Sequence, residues 1–364
     1  MSVLAAIAVL GILIVVHELG HFGAARLQGI HVNRFSIGFG PALFKYKGEE
    51  TEYAIRAFPL GGYVAFPDDD PDSGIPADDP DLLRNRPIVD RVIVISAGVV
   101  ANLIFAYFLL VGHVAINGIQ EINYQQGVLI PQILDQPNSA AIAAGLQSGD
   151  VVLAVNNKPL PPQQEGMEKL RTIIQQSPNQ TLQFTVKRGD EILYIPVTPT
   201  PGDKGEGRIG VMLAPNGEVV RRPARSFFEV LTTAADQFQN YTELTLNGFR
   251  QLLTNFQENA NQLAGPVAIV AVGAELARDD LNSLLQFGAL ISINLAIINI
   301  LPLPALDGGQ LLFLLLEAIR GKPLPNKIQE GIVQTGLALL LGLGFFLILR
   351  DTANLAFVQK FLAN

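Results

Sequence analysis

The order of apolar and polar positions divides the chain into four long apolar blocks set among ordinary polar stretches. Residues 3–16 carry no charge, but at 1.5 Å per residue they cover about 21 Å, short of a ~30 Å hydrocarbon core. A cleaved signal peptide needs basic residues before its apolar run and a small-residue cleavage site after it. Here no basic residue comes first, and His17-Glu18-Leu19-Gly20-His21 follows. The block reads as a retained membrane helix with polar groups in its span. Residues 92–116 are long enough to span alone. Residues 284–316 hold a single charge, Asp307, and are interrupted by Pro302, Pro304 and Gly308-Gly309, which predicts two helical pieces around a break. Residues 332–349 form the fourth block. Four spans put both termini on one side.

Between the second and third blocks the pattern changes. Residues 127–198 show β-rich runs at 128–134, 151–155, 182–186 and 193–197, with turn signals at Gly149-Asp150, Asn156-Asn157 and Gly189-Asp190. Residues 167–176 have helical spacing. This predicts a small mixed domain of ~75 residues. Residues 224–263 follow, with apolar positions from Phe227 to Phe256 spaced for one amphipathic helix or a pair.

Composition sharpens this reading. Of 364 residues, 49% are hydrophobic and only 16% charged, against about 25% charged in a typical soluble chain. The net charge of −8 excludes an ordinary nucleic-acid binder. Orientation follows from Lys and Arg in the flanking loops. Arg26, Arg34, Lys45, Lys47, Arg56, Arg84, Arg86 and Arg91 follow the first block, and Arg320, Lys322 and Lys327 precede the fourth. Both loops are expected to be cytoplasmic, with the termini and the central region outside. The chain has no cysteine and four histidines, His17, His21, His31 and His113. Disulfides, cysteine metal sites and thiol nucleophiles are excluded.

His17 and His21 are four apart, so on a helix both rings leave one face and can hold one zinc ion. Glu18 is displaced by about 100°, placed to act as a base rather than a ligand. The plainer reading, two structural histidines and a solvated glutamate, leaves three costly ionisable groups beside an apolar span. Catalytic zinc needs a third protein ligand. His31 lies beyond Gly29 with nothing near it in support, and His113 sits at the far end of the second block. Asp307 is the remaining candidate, in a helix break where irregular backbone needs protein or a water-filled cavity beside it. A capping aspartate at the helix restart is the alternative.

These residues, taken together, resemble the site-2 protease family of intramembrane zinc metalloproteases, in the bacterial and plastid branch with a PDZ domain, cyanobacterial type. The resemblance rests on His17-Glu18-Leu19-Gly20-His21, Gly38-Phe39-Gly40-Pro41, Pro59-Leu60-Gly61-Gly62-Tyr63-Val64, Ser96-Ala97-Gly98 with Asn102, and Ala264-Gly265-Pro266-Val267. It also rests on Asn299, Pro302, Pro304 and Leu306-Asp307-Gly308. One departure is Gly98-Val99, where many relatives have Gly-Pro. The resemblance implies Zn2+ held by His17, His21 and Asp307, with Glu18 as general base on the attacking water. It implies substrate contacts at Asn299, Pro302, Gly61, Gly62 and Asn102, the two glycines lying on a membrane-associated β-hairpin.

The expected fold class is an α-helical polytopic membrane protein with four transmembrane helices and an inserted α+β PDZ-like domain. The expected order is a first span at 1–28, a cytoplasmic loop with hairpin and acidic insert at 29–87, and a second span at 88–117. An extracytoplasmic PDZ-like domain at 118–215 and an amphipathic helical region at 216–280 follow. The third span is at 281–318, a cytoplasmic loop at 319–331, and the fourth span with its tail at 332–364. The implied activity is hydrolysis of peptide bonds within or near transmembrane segments of membrane-protein substrates, in a bacterial inner membrane or a thylakoid. Anti-sigma factors and remnant signal peptides are the implied substrate types, and the PDZ-like domain would bind or filter polypeptide ends. Two other classes stay in view, a metal transporter using the same three ligands and an inactive membrane-anchored PDZ scaffold.

Overall fold

The computed structural model describes residues 2–70, 73–134, 139–202, 205–255 and 263–353. Phe256, the last apolar position expected in the amphipathic region, lies outside them. The chain divides into one unit of residues 1–118 and 223–364 and a second of residues 119–222.

In the first unit, α1 (Ser2–Leu27) continues through the His-Glu motif and past it, so the 3–16 block is only part of a 26-residue helix. Helix α2 (Ile88–Asn117) packs along α1. Small residues bring the two backbones together: a β-carbon on Gly20 would stand 2.8 Å from Ala101 Cβ, the close approach that apolar helices use when no hydrophobic effect drives them together. The third block breaks where its prolines predict. Helix α7 (Ser283–Ile300) ends before Pro302, and α8 restarts at Asp307 and runs to Arg320 (Asp307–Arg320). Both α7 and α8 pack on α2. Helix α9 (Asn326–Ala353) is tied to the start of α6 (Pro266–Asp279), where Asp351 accepts from the Ala268 amide at 3.1 Å. Helix α5 (Phe227–Thr254) is N-capped by Ser226 accepting from Glu229 N and covers the described part of the amphipathic pattern expected from Phe227 to Phe256. Among the described residues, four helices are long and apolar enough to cross a membrane: α1, α2, α7 and α9.

The predicted hairpin is more elaborate than two straight strands. Strands β1 (Arg34–Lys47) and β2 (Glu52–Ala65) are both bent. Residues 34–37 pair in parallel with 52–55 and antiparallel with 62–65, while 42–47 pair antiparallel with 52–56. The bend falls at Gly38 and Gly40, at φ +87° and +84°, and at Gly61, at φ +150°, values that glycine alone adopts freely. Arg56 holds the bend by donating to Ser36 Oγ at 2.8 Å and to the Gly40 carbonyl at 2.7 Å.

The second unit is an antiparallel sheet with short helices. Its strands are β3 (Ile119–Leu129), β4 (Val151–Val155), β5 (Lys158–Pro159), β6 (Leu182–Arg188), β7 (Glu191–Val197) and β10 (Ala214–Arg222), in order β10-β3-β4-β6-β7 with β5 on β4. A separate pair is formed by β8 (Thr200–Pro201) and β9 (Gly207–Arg208). Helices α3 (Ala140–Ala144) and α4 (Gln163–Gln175) accompany the sheet. The unit runs to residue 222 rather than 215 because β10 pairs with β3 along its length. Phe184, Val152, Val186, Leu170 and Val128 are fully buried at its centre.

Candidate metal centre

Helix periodicity puts His17 and His21 on one face of α1, and α2 supplies what surrounds them. His21 Nδ1 donates to the Val94 carbonyl at 2.9 Å, since a carbonyl only accepts. A neutral His21 ring then carries its lone pair on Nε2. That atom lies 3.2 Å from His17 Nε2 and 3.5 Å from Asp307 Oδ2, and His17 Nε2 lies 3.3 Å from the same Oδ2. Asp307 is the first residue of α8 and heads no side-chain cap; its Oδ2 is buried and makes no hydrogen bond of normal geometry. The break that delivers it is tight. Ala305 sits at φ +70°, a left-handed conformation costing a non-glycine residue about 1–2 kcal/mol, and strain of this kind collects at functional sites.

The donor set fits a zinc ion. Bonds of about 2.0–2.1 Å meeting at tetrahedral angles put ligand atoms roughly 3.3 Å apart, and the three separations here are 3.2, 3.3 and 3.5 Å. With its proton committed to Val94, His21 turns a bare Nε2 toward the buried Asp307 Oδ2, and two acceptors facing each other without a cation have only desolvation to show for it.

Glu18 is 9% exposed and lies under β2, where a β-carbon on Gly62 would come within 2.7 Å of Glu18 Cγ. His17, Glu18, His21, Asn102, Asn299 and Asp307 line one cavity of about 700 Å3 with Phe39, Gly61, Gly62 and Tyr63 of the bent sheet. Asn299 Nδ2 is 3.4 Å from His17 Nε2. Pro302 lies in the break between α7 and α8 and is not among the cavity-lining residues. His31 stands apart, 3.8 Å from Asp79; with Asp81 they form a second cluster, but Arg86 already pairs with Asp81 at 2.6 Å. His113 pairs with Asn117 on α2.

Two contributors escaped the sequence reading of the site. Gly98 leaves room for both rings, and its signal was present: a glycine one turn before Asn102 on the same helix face. Val94 acts through its main chain, which no side-chain pattern reports.

Two histidines one turn apart with a glutamate between them are the working parts of a metallopeptidase, and here that turn lies in an apolar helix of membrane length. The chain belongs to peptidase family M50, the site-2 proteases, whose family model matches residues 5–343. A Nostoc sp. protein whose name places it among zinc metalloproteases is 61% identical over 99% of both chains. The chloroplastic membrane metalloprotease ARASP of Arabidopsis thaliana is 48% identical over 99% of this chain and 81% of its own. The regulator of sigma-E protease RseP of Escherichia coli is 30% identical over 93% and 96%. A solved PDZ domain from Listeria innocua covers 24% of this chain and 92% of its own at 20% identity, with a TM-score of 0.20, too low to carry an argument about fold.

Proposed function

We propose that the chain is an intramembrane zinc metalloendopeptidase that cuts peptide bonds within or near the transmembrane segments of membrane proteins. One observation carries the reading: His17 Nε2, His21 Nε2 and Asp307 Oδ2 converge beside Glu18 in a cavity among apolar helices. These three residues would hold the zinc ion, the metal in the names of several relatives. When bound, zinc supplies a Lewis acid that polarises the scissile carbonyl and makes water acidic enough to lose a proton near neutral pH. Glu18 takes that proton on its carboxylate and returns it to the leaving amine nitrogen, a contribution of typically about 10²–10⁴-fold.

A transmembrane substrate must unwind before its carbonyl is exposed, and each unpaired amide in lipid costs several kcal/mol. Gly61 and Gly62, on the strand that borders the cavity, and the Asn299 carboxamide supply replacement hydrogen bonds. Residues 119–222 act as a PDZ-like domain that screens polypeptide ends; deleting them should broaden the set of proteins cut. Membrane-anchored anti-sigma factors and remnant signal peptides are the substrate types, in a bacterial inner membrane or a thylakoid, with the basic loops on the cytoplasmic side.

The test is Glu18→Gln in the full-length protein. It should bind zinc as the wild type does and fail to cut a substrate that the wild type cuts. A variant that still cleaves removes Glu18 from the mechanism, and one that lacks zinc makes it a ligand.

A further inference from the structure

Asn102 is fully buried, and its Oδ1 has no hydrogen-bond partner, while its Nδ2 lies 3.4 Å from His17 Nδ1. With the amide donating in that sense, Nδ1 is bare and a neutral His17 ring carries its proton on Nε2. That is the atom 3.2 Å from His21 Nε2 and 3.3 Å from Asp307 Oδ2. A proton and a metal ion cannot share it, because a ligating imidazole offers a lone pair. His21 has no such conflict, its Nδ1 proton being already committed to the Val94 carbonyl. The two ends of a carboxamide have the same shape, so hydrogen-bond logic decides which end faces a neighbour. Turning the Asn102 amide over gives His17 Nδ1–H an acceptor and frees Nε2.

Resting on the zinc reading above, the geometry points to Asn102 as a positioning residue of the metal centre. Its Oδ1 accepts the His17 Nδ1 proton and fixes the tautomer whose Nε2 lone pair faces the metal. Acceptors behind a ligating histidine orient the ring and raise its basicity. The placement is rigid. Ser292 Oγ of α7 donates to the Asn102 main-chain carbonyl at 2.8 Å, and Gly98, one turn earlier, makes room for His17 Cε1. Helix α2 therefore sets the tautomers of both histidines, His21 through the Val94 main chain and His17 through the Asn102 side chain. This role is distinct from the substrate contact expected from the motif.

The test measures zinc affinity of the full chain in detergent, by competition with a chromogenic chelator. Asn102→Leu keeps the shape and loses the acceptor; its affinity should fall about 10–100-fold. Asn102→Asp can only accept, and should bind zinc as the wild type does. Leucine binding as tightly as asparagine would overturn the inference, and so would aspartate binding as weakly as leucine, which would make the amide a donor. If Asn102→Asp does not fold, 15N spectra of the His17 ring in the zinc-loaded wild type decide: a protonated Nδ1 supports the assignment and a bare one ends it. His17→Ala separates the two levels. Undiminished zinc affinity there removes the metal centre itself, whereas loss there with none in Asn102→Leu removes only the role of Asn102.

Discussion

Gly98 stands where any side chain would collide with both site histidines: a β-carbon there would overlap His21 Nε2 and lie 2.7 Å from His17 Cε1. Helix α2 thus shapes the space that the two rings occupy. Gly98→Ala should strengthen the helix by about 0.8–1.0 kcal/mol while pushing the rings off their positions. Overpacking against the rings, about 1–3 kcal/mol, should cancel that gain in thermal stability, and zinc affinity should fall about tenfold or more. Unchanged zinc binding would show that the rings have room to spare.

Gly62 makes the same demand on the glutamate. Its β-carbon would meet Glu18 Cγ at 2.7 Å and the Ser36 carbonyl at 2.9 Å, and the Ser36 backbone cannot yield. Glu18 would have to move, and a displacement near 1 Å can cost about 10²-fold in rate. Gly62→Ala is expected to keep its zinc and lose about that much cleavage. Parallel loss of zinc would mean that the bent sheet supports the ligands as well.

The helix that begins with Asp307 is held to α2 by an ion pair at its other end, Arg91 to Glu317 at 2.8 Å, with side chains 19% and 16% exposed. Removing either partner should cost about 1.5–3 kcal/mol, the range for a hydrogen bond to a charged group, and should lower zinc affinity through Asp307. The exchanged pair, Arg91→Glu with Glu317→Arg, should recover both. A double-mutant cycle on thermal unfolding reads the coupling; none would reduce the pair to a surface contact.

In the second unit, Asp150 is fully buried and Arg188 grips both of its oxygens, at 2.7 and 2.8 Å, while the Gln147 amide donates at 2.8 Å. Burial alone would raise the carboxyl, but the Arg188 hydrogen bonds, the Gln147 amide and the Arg188 charge together hold it below its ordinary value of 3.8. A carboxylate with a depressed folded pKa contributes stability above its unfolded pKa and loses it as pH falls through the folded one. Residues 119–222 should therefore lose stability below about pH 4. Hydrogen exchange in β4 and β6 between roughly pH 5 and pH 2 should show this, and Asp150→Asn should be weaker at neutral pH and nearly flat across that range.

The sequence by itself determined the apolar blocks, the prolines that break the third, and the shared helix face of His17 and His21, because each depends only on local spacing. It also marked Asp307, since one charge in a long apolar run is visible without a fold. The pairing of residues 34–37 with two separate segments of β2 was not legible, because it depends on bends at Gly38, Gly40 and Gly61 that no two-residue alternation encodes. Nor was the closing of the second unit by β10, a pairing across distant sequence. Tertiary structure alone decided that Asp307 reaches His17 and His21, that Gly98 and Gly62 must lack side chains, and that Val94 and Asn102 stand behind the rings. The reason is physical: a metal centre is fixed to tenths of an ångström by the packing of α7 and α8 on α2, and helix spacing sets which face a residue occupies but not what that face meets.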